Sequence, residues 1–304
     1  MKLCQFFVPD KGKRVGVVIE DRVLDITAPR AGITSVTDLI AAAGTAARLE
    51  SRTRALAQQA RTMLRWPSLD RAPSPRRPHL LAPLDPPEVW GAGITYHRSR
   101  EYYEAHTGEG GRTKGIYDFV YESERPELFF KASAARTAGP NAPIAVRGDS
   151  TLTAVEPELA LVLGRDGAIV AYTIGNDLSA WDIERTNPLF LPQSKVFDGC
   201  FACGPVLVTA GEIGDPHALE LSCAIQRGGR TIYEGRVNTK EMKRHCVELV
   251  EWLCRYNACP PGTVLSTGTG ILVPDEYALA DGDVVEITLE RVGTLRNPVR
   301  QPRR

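Results

Sequence analysis

The stretch from Glu156 to Asp177 constrains this chain more than any other, because it reads as one antiparallel hairpin with carboxylates gathered at its open end. Leu159–Leu163 and Ala168–Ile174 are short apolar, β-prone runs, and Gly164-Arg165-Asp166-Gly167 between them is a tight-turn sequence. Pro157 is compatible with this reading because it falls at the first residue of the strand, where no ladder hydrogen bond is lost. Side chains two apart on a strand share a face, so Glu156 and Glu158 converge on one point. The returning strand then brings Asp177 back beside them. Three carboxylates in one place raise one another's pKa unless a cation sits between them. All-oxygen donors select hard ions, so magnesium is expected, with manganese or calcium as substitutes, ahead of zinc. The same spacing also fits solvated glutamates on an exposed strand face, and spacing alone does not choose.

The rest of the chain narrows the function class. The 304 residues suffice for two domains or one large one, and a 43% hydrophobic fraction supports a substantial core. With 37 basic and 37 acidic residues the net charge is zero, which argues against a general polyanion binder. The arginines between Arg48 and Arg77 have almost no aromatic residues among them and read as a wet helix face plus a linker, not a nucleic-acid surface. Seven cysteines without regular spacing do not make a disulfide framework, and Cys200-x-x-Cys203 has no second pair to complete a zinc site. No run is apolar and long enough to span a bilayer, and the start is not signal-like. A soluble cytoplasmic protein without a membrane partner is expected.

Patterning divides the chain into three parts: a small α+β unit over 1–80, a β-rich region over 81–296 and a basic tail over 297–304. In the first, Leu3–Val8 and Arg14–Ile19 read as strands around the turn Pro9-Asp10-Lys11-Gly12. Ser35 and Asp38 mark a helix start, Gly44 a break, and Ala46–Leu64 a second helix. Seven prolines from Pro67 to Pro87 then suggest an extended connector. Beyond it, Leu219–Tyr233 reads as a hairpin around Gly228-Gly229, and Val284–Leu289 as a late strand. One helix is expected from about Thr239 to Tyr256, capped by Asn238 and Glu241, with Val247, Leu249, Val250 and Leu253 as its apolar stripe.

The order of Glu156-Pro-Glu158, Gly175-Asn-Asp177-Leu-Ser179, Lys195-Val-Phe-Asp-Gly199, Gly204-Pro205 and Leu265-Ser-Thr-Gly-Thr-Gly270 resembles the fumarylacetoacetate hydrolase superfamily. The resemblance covers roughly Val89 to Leu289. It implies an α+β fold whose main part is a β-rich roll of mixed sheets, a homodimer, and a magnesium site held by Glu156, Glu158 and Asp177.

Members that cleave or decarboxylate oxo acids carry Asn-Tyr-x-x-His-x-x-Glu, whose histidine and glutamate activate water. Here the matching stretch is Thr95-Tyr96-His97-Arg98-Ser99-Arg100-Glu101-Tyr102, with Ser99 in the histidine's place and Tyr102 in the glutamate's. Serine is no general base near neutral pH. Together with Pro126–Lys131, Asp182-Ile-Glu184, Asn187-Pro-Leu189 and Leu191–Lys195, this variant resembles the sugar-acid dehydratase branch. That resemblance implies a magnesium-dependent dehydratase of 2-keto-3-deoxy sugar acids, turning a 2-keto-3-deoxypentonate into 2,5-dioxopentanoate. Lys195 and Glu127 are the expected proton-transfer residues, with the lysine pKa lowered by the cation. Thr269, Ser99 and Lys131, with Arg136, are expected to meet the substrate. The alternative is a magnesium-dependent hydrolase or decarboxylase of acylpyruvate- or oxaloacetate-type 2-oxo acids, using His97 and Glu101 as a displaced dyad.

Overall fold

The hairpin forms the centre of a 12-stranded sheet in the computed structural model, which describes residues 1–106 and 115–302. Strands Pro157–Leu163 and Ile169–Asp177 pair antiparallel, with Glu158 opposite Gly175 and Pro157 opposite Asn176. Every residue of Pro157–Leu163 is buried, so the sheet is covered on both sides. Leu159, Leu161 and Leu163 join one apolar core, while Ala160 and Val162 join another on the opposite face. The turn at Arg165–Gly167 places Asp166 at φ 55, a conformation that aspartate tolerates better than most residues.

On one side of the hairpin lie Val264–Ser266, Val89–Gly93 and Glu127–Ala132; on the other lie Phe201–Thr209 and then Lys2–Val8. The first eighty residues therefore make their α+β layer by extending this same sheet: Lys2 and Leu3 pair with Val208 and Leu207. Their helix Val36–Ala43 has the expected capping box, with Ser35 Oγ accepting from Asp38 N and Asp38 accepting from Ser35 N. The next helix stops at Gln59, five residues before the expected Leu64, because Met63–Arg65 is drawn off as a strand against Arg22–Leu24. The proline-rich connector is not wholly unpaired either, since His79 and Leu80 pair with Phe7 and Phe6.

A second, five-stranded sheet holds the hairpin Glu220–Arg227/Arg230–Asn238 and the strands Val284–Leu289 and Gly293–Arg300. The last of these corrects the expected tail from 297: Leu295, Asn297 and Val299 alternate inward, so the chain remains in the sheet through Arg300. Residues 303–304 of that tail lie outside the described residues. The long helix expected over 239–256 is also two elements. Asn238 and Glu241 do form a capping box, but only over the single turn Thr239–Glu241. A second box, His245 with Glu248, then starts the helix Cys246–Cys254. The new register buries Cys246, Leu249, Val250 and Leu253 and leaves Val247 60% exposed. Capping boxes mark where helices begin, and two in succession demand a break.

Candidate active site

The antiparallel register sets the site. Asp177 N donates to Glu156 O at 3.0 Å, which makes these two residues neighbours across the open end of the hairpin, and Glu158 follows Glu156 by one strand repeat. Carboxylate oxygens of Glu156, Glu158 and Asp177 lie within 4.8 Å of one another, and all three residues are at most 4% exposed. The solvated-face reading is thereby excluded. Each carboxylate is held in place: Trp181 Nε1 donates to Glu156 Oε1 at 2.7 Å, and Gly268 N donates to Glu158 Oε2 at 2.8 Å. Lys131 pairs with Asp177 Oδ1 at 2.6 Å. Burial first, then the charges of Asp177 and Glu156, push the Glu158 carboxyl well above the usual carboxylate range. Two buried ammonium groups, Lys131 and Lys195, face these three carboxyl groups. An all-oxygen, buried cluster of this size fits a magnesium ion.

Lys195 ends the short helix Leu191–Lys195 and reaches into the cluster. Its Nζ donates to Glu156 Oε2 at 2.8 Å, to Asp177 Oδ2 at 3.3 Å and to Ser179 Oγ at 2.6 Å, and it lies 5.1 Å over the Phe129 ring. The expected lowering of its pKa requires the bound cation; among the side chains alone the balance runs the other way. Burial alone would depress the ammonium, but Asp177, Glu156 and Glu184 outweigh it and hold the group well above the usual lysine range.

Glu127 opens the strand Glu127–Ala132, and alternation puts Glu127, Phe129 and Lys131 on one face. A narrow cleft is lined by Ser99, Glu127, Phe129, Glu156, Lys195 and Thr269, together with Glu184 and several apolar or glycine positions. Burial raises the Glu127 carboxyl, with Lys195 opposing and Glu156 and Asp177 reinforcing the shift. Ser99 is buried and its Oγ donates to Thr269 O, tying the helix His97–His106 to the glycine-flanked loop.

Three expectations change here. Lys131, expected to meet the substrate, is fully buried and turns its ammonium to Asp177 and to the carbonyls of Leu178 and Lys195, at 2.6 and 2.5 Å. Arg136 does not line the cleft; its Nε stands 4.0 Å from Asp198 on the surface. His97 and Glu101 face each other at 3.5 Å with more than half of each side chain exposed, and neither lines the cleft, so they supply no displaced dyad. On the helix each residue of offset turns a side chain by about 100°, so His97, two residues before Ser99, and Glu101, one before Tyr102, are carried out to solvent while Ser99 points in.

Sequence reasoning passed over Glu184, Ser179 and Trp181 as site residues. Glu184 is 7% exposed and lines the cleft, and Ser194 Oγ donates to its carboxyl at 3.2 Å. Burial lifts its pKa to about 7, with Lys195 opposing and Glu156 and Glu127 reinforcing. Only the resemblance of the Asp182-Ile-Glu184 segment hinted at it, since no carboxylate partner stands at a regular spacing.

Residues 97–300 match the family model described as fumarylacetoacetate (FAA) hydrolase C-terminal. The chain belongs to the fumarylacetoacetate hydrolase family. Within that family it is 49% identical over 222 residues to the 2-dehydro-3-deoxy-D-arabinonate dehydratase of Saccharolobus solfataricus, covering 73% of this chain and 74% of that one. It is 46% identical over 221 residues to a probable 2-keto-3-deoxyxylonate dehydratase of Haloferax volcanii, covering 73% and 75%. A solved structure of 2-keto-3-deoxy-D-arabinonate dehydratase, complexed with magnesium and 2,5-dioxopentanoate, superposes over all of both chains with a TM-score of 0.84 and 37% identity. Among the described residues no helix is long and apolar enough to cross a membrane.

Proposed function

We propose that this member of the fumarylacetoacetate hydrolase family is a magnesium-dependent dehydratase that converts a 2-keto-3-deoxypentonate into 2,5-dioxopentanoate. The observation that carries the reading is the buried triad of Glu156, Glu158 and Asp177 with Lys195 bonded into it, beside a cleft that lacks a water-activating histidine. Magnesium held by the triad would polarise the 2-oxo group and so acidify the C3 protons. The chain's own residues do the rest. Lys195 and Glu127 share two tasks: one removes a C3 proton, whose bonding pair forms C2=C3 as the C2=O pair moves onto its oxygen, and the other protonates the C4 hydroxyl, which leaves as water as C3=C4 forms and C2=O returns. Ser99 and Thr269 shape the wall against which the substrate's hydroxyls lie, and Phe129 excludes water beside Lys195.

The acylpyruvate or oxaloacetate reading loses its support with the exposure of His97 and Glu101. We take the working form to be a cytoplasmic homodimer acting on a small 2-oxo sugar acid, in line with the family resemblance and with seven free cysteines, five of them buried. The test is incubation of the purified protein with 2-keto-3-deoxypentonates and Mg²⁺, read by an aldehyde-dehydrogenase-coupled assay. Semialdehyde formed with the metal and abolished by EDTA is the expected result. No product from any pentonate stereoisomer, or loss of turnover in His97→Ala, would sink it.

A further inference from the structure

Removing a C3 proton and the C4 hydroxyl does not yet give the dioxo acid. It leaves a 3,4-unsaturated 2-oxo acid with a CH₂OH group at C5. Reaching the aldehyde needs four more proton movements and no oxidant. A C5–H bond breaks, its pair forms C4=C5, the C3=C4 pair shifts to C2=C3 and the C2=O pair moves onto its oxygen. The C5 hydroxyl then gives up its proton as C5=O forms, C3 and C4 take up one proton each, and C2=O re-forms. Two protons leave and two arrive, so atoms and charge balance. Lys195 and Glu127 are engaged at C3 and C4, and this second half of the reaction has no residue assigned to it.

We propose that Glu184 is a further catalytic residue, the acid–base group that removes the C5 proton and returns a proton to the carbon chain. This rests on the dehydratase reading above. Three observations support it. First, Glu184 is one of three carboxylates lining the cleft, with Glu127 and Glu156, and the other two already have tasks. Second, it comes from a different element: the helix Trp181–Thr186 carries it, whereas Glu158, Asp177 and Glu127 come from strands and Glu156 directly precedes one. It shares the lining of the cleft with Lys195 and Glu127, and it is not one of the clustered triad. Third, it is positioned. Ser194 Oγ donates to Oε2 at 3.2 Å, and Ser194 is itself fully buried, directly before Lys195. A single turn thus sets both Lys195 and the group next to it. A buried carboxyl whose pKa lies near neutrality both takes and returns a proton at working pH.

Glu184→Gln tests this, with wild type and variant given Mg²⁺ and the same 2-keto-3-deoxypentonate. The expected result is that the variant still exchanges the C3 protons with D₂O and still loses water. The conjugated 3,4-unsaturated acid then accumulates in the near ultraviolet, while semialdehyde release falls by about 100-fold or more. Manganese affinity by calorimetry stays at the wild-type value. Semialdehyde release within about threefold of wild type overturns the proposal, and so does loss of C3 exchange together with product. If Glu184→Gln does not fold, Ser194→Ala keeps the carboxyl and removes its support. The same intermediate should then build up with release slowed about tenfold, and an unchanged partition counts against the proposal. Failure of the wild type to form any product would instead strike the dehydratase reading.

Discussion

Glu127 and Gly93 face each other across two antiparallel strands, and the Glu127 carboxylate occupies the space that a Cβ at position 93 would need. The obstruction is the far end of a flexible side chain, so Gly93→Ala should cost little stability while displacing the carboxyl from its place in the cleft. Displacing a proton-transfer group by an ångström slows turnover about a hundredfold. Gly93→Ala is expected to show that loss in kcat with a near-normal melting temperature. An unaltered kcat would mean that Glu127 has no part in the chemistry.

The triad repels itself. Glu158→Gln removes one of three buried carboxylates, so it should raise the melting temperature measured in EDTA by a few degrees. Because a ligand is lost, Mn²⁺ affinity should fall by at least the 10- to 100-fold seen when even outer partners are removed. Calorimetry and thermal melts with and without metal report both effects. Opposite signs in EDTA and in Mg²⁺ are the signature; a variant that melts lower in both would show that repulsion is not what governs this cluster.

Burial holds the Glu184 carboxyl at about 7, above its ordinary 4.5. Across that window the folded protein keeps a proton that the unfolded chain has lost, so this group makes stability fall as pH rises from about 4.5 to 7 and has no further effect above that. The difference amounts to something on the order of 3 kcal/mol. Denaturant unfolding in EDTA at pH 5 and pH 7.5 should therefore show Glu184→Gln gaining on wild type at the higher pH. Equal differences at both pH values would refute the assignment.

Tyr102, in the place where oxo-acid hydrolases carry a glutamate, donates to Asp275 at 3.0 Å, and Arg185 holds the same carboxylate at 2.6 and 3.0 Å. This clasp joins the helix His97–His106 to the helix that carries Glu184. Asp275 is nearly half exposed, so Asp275→Asn should weaken the closure by only about 1 kcal/mol. Hydrogen exchange over residues 97–106 is expected to quicken about fivefold, with KM rising by a similar factor and kcat little changed.

Much of the site was legible along the chain because it is built from short-range regularities. Alternation put Glu156 and Glu158 on one face, a four-residue turn returned Asp177 to them, and the order of the family's motifs pointed to Lys195 and Glu127. Where the readings erred, local signals were genuine but incomplete. Asn238 and Glu241 do cap a turn, yet the chain breaks before His245 caps another. Arg296 to Arg300 look like a frayed basic end until pairing with Val284–Leu289 and with Ile144–Ala145 keeps them in a sheet.

Whether the two glutamates were solvated or buried, and where Lys131 and Glu184 would point, depended on which distant segments covered the hairpin. The sequence alone determined the strand period, the turn and therefore the shared face of the carboxylates, since these follow from backbone geometry within about twenty residues. Tertiary structure alone decided burial, the choice of Ser99 over His97 as the inward residue, and the meeting of Glu184 with Lys195 and Glu127. Desolvation and close charge are properties of what surrounds a group in space, and no spacing along the chain encodes them.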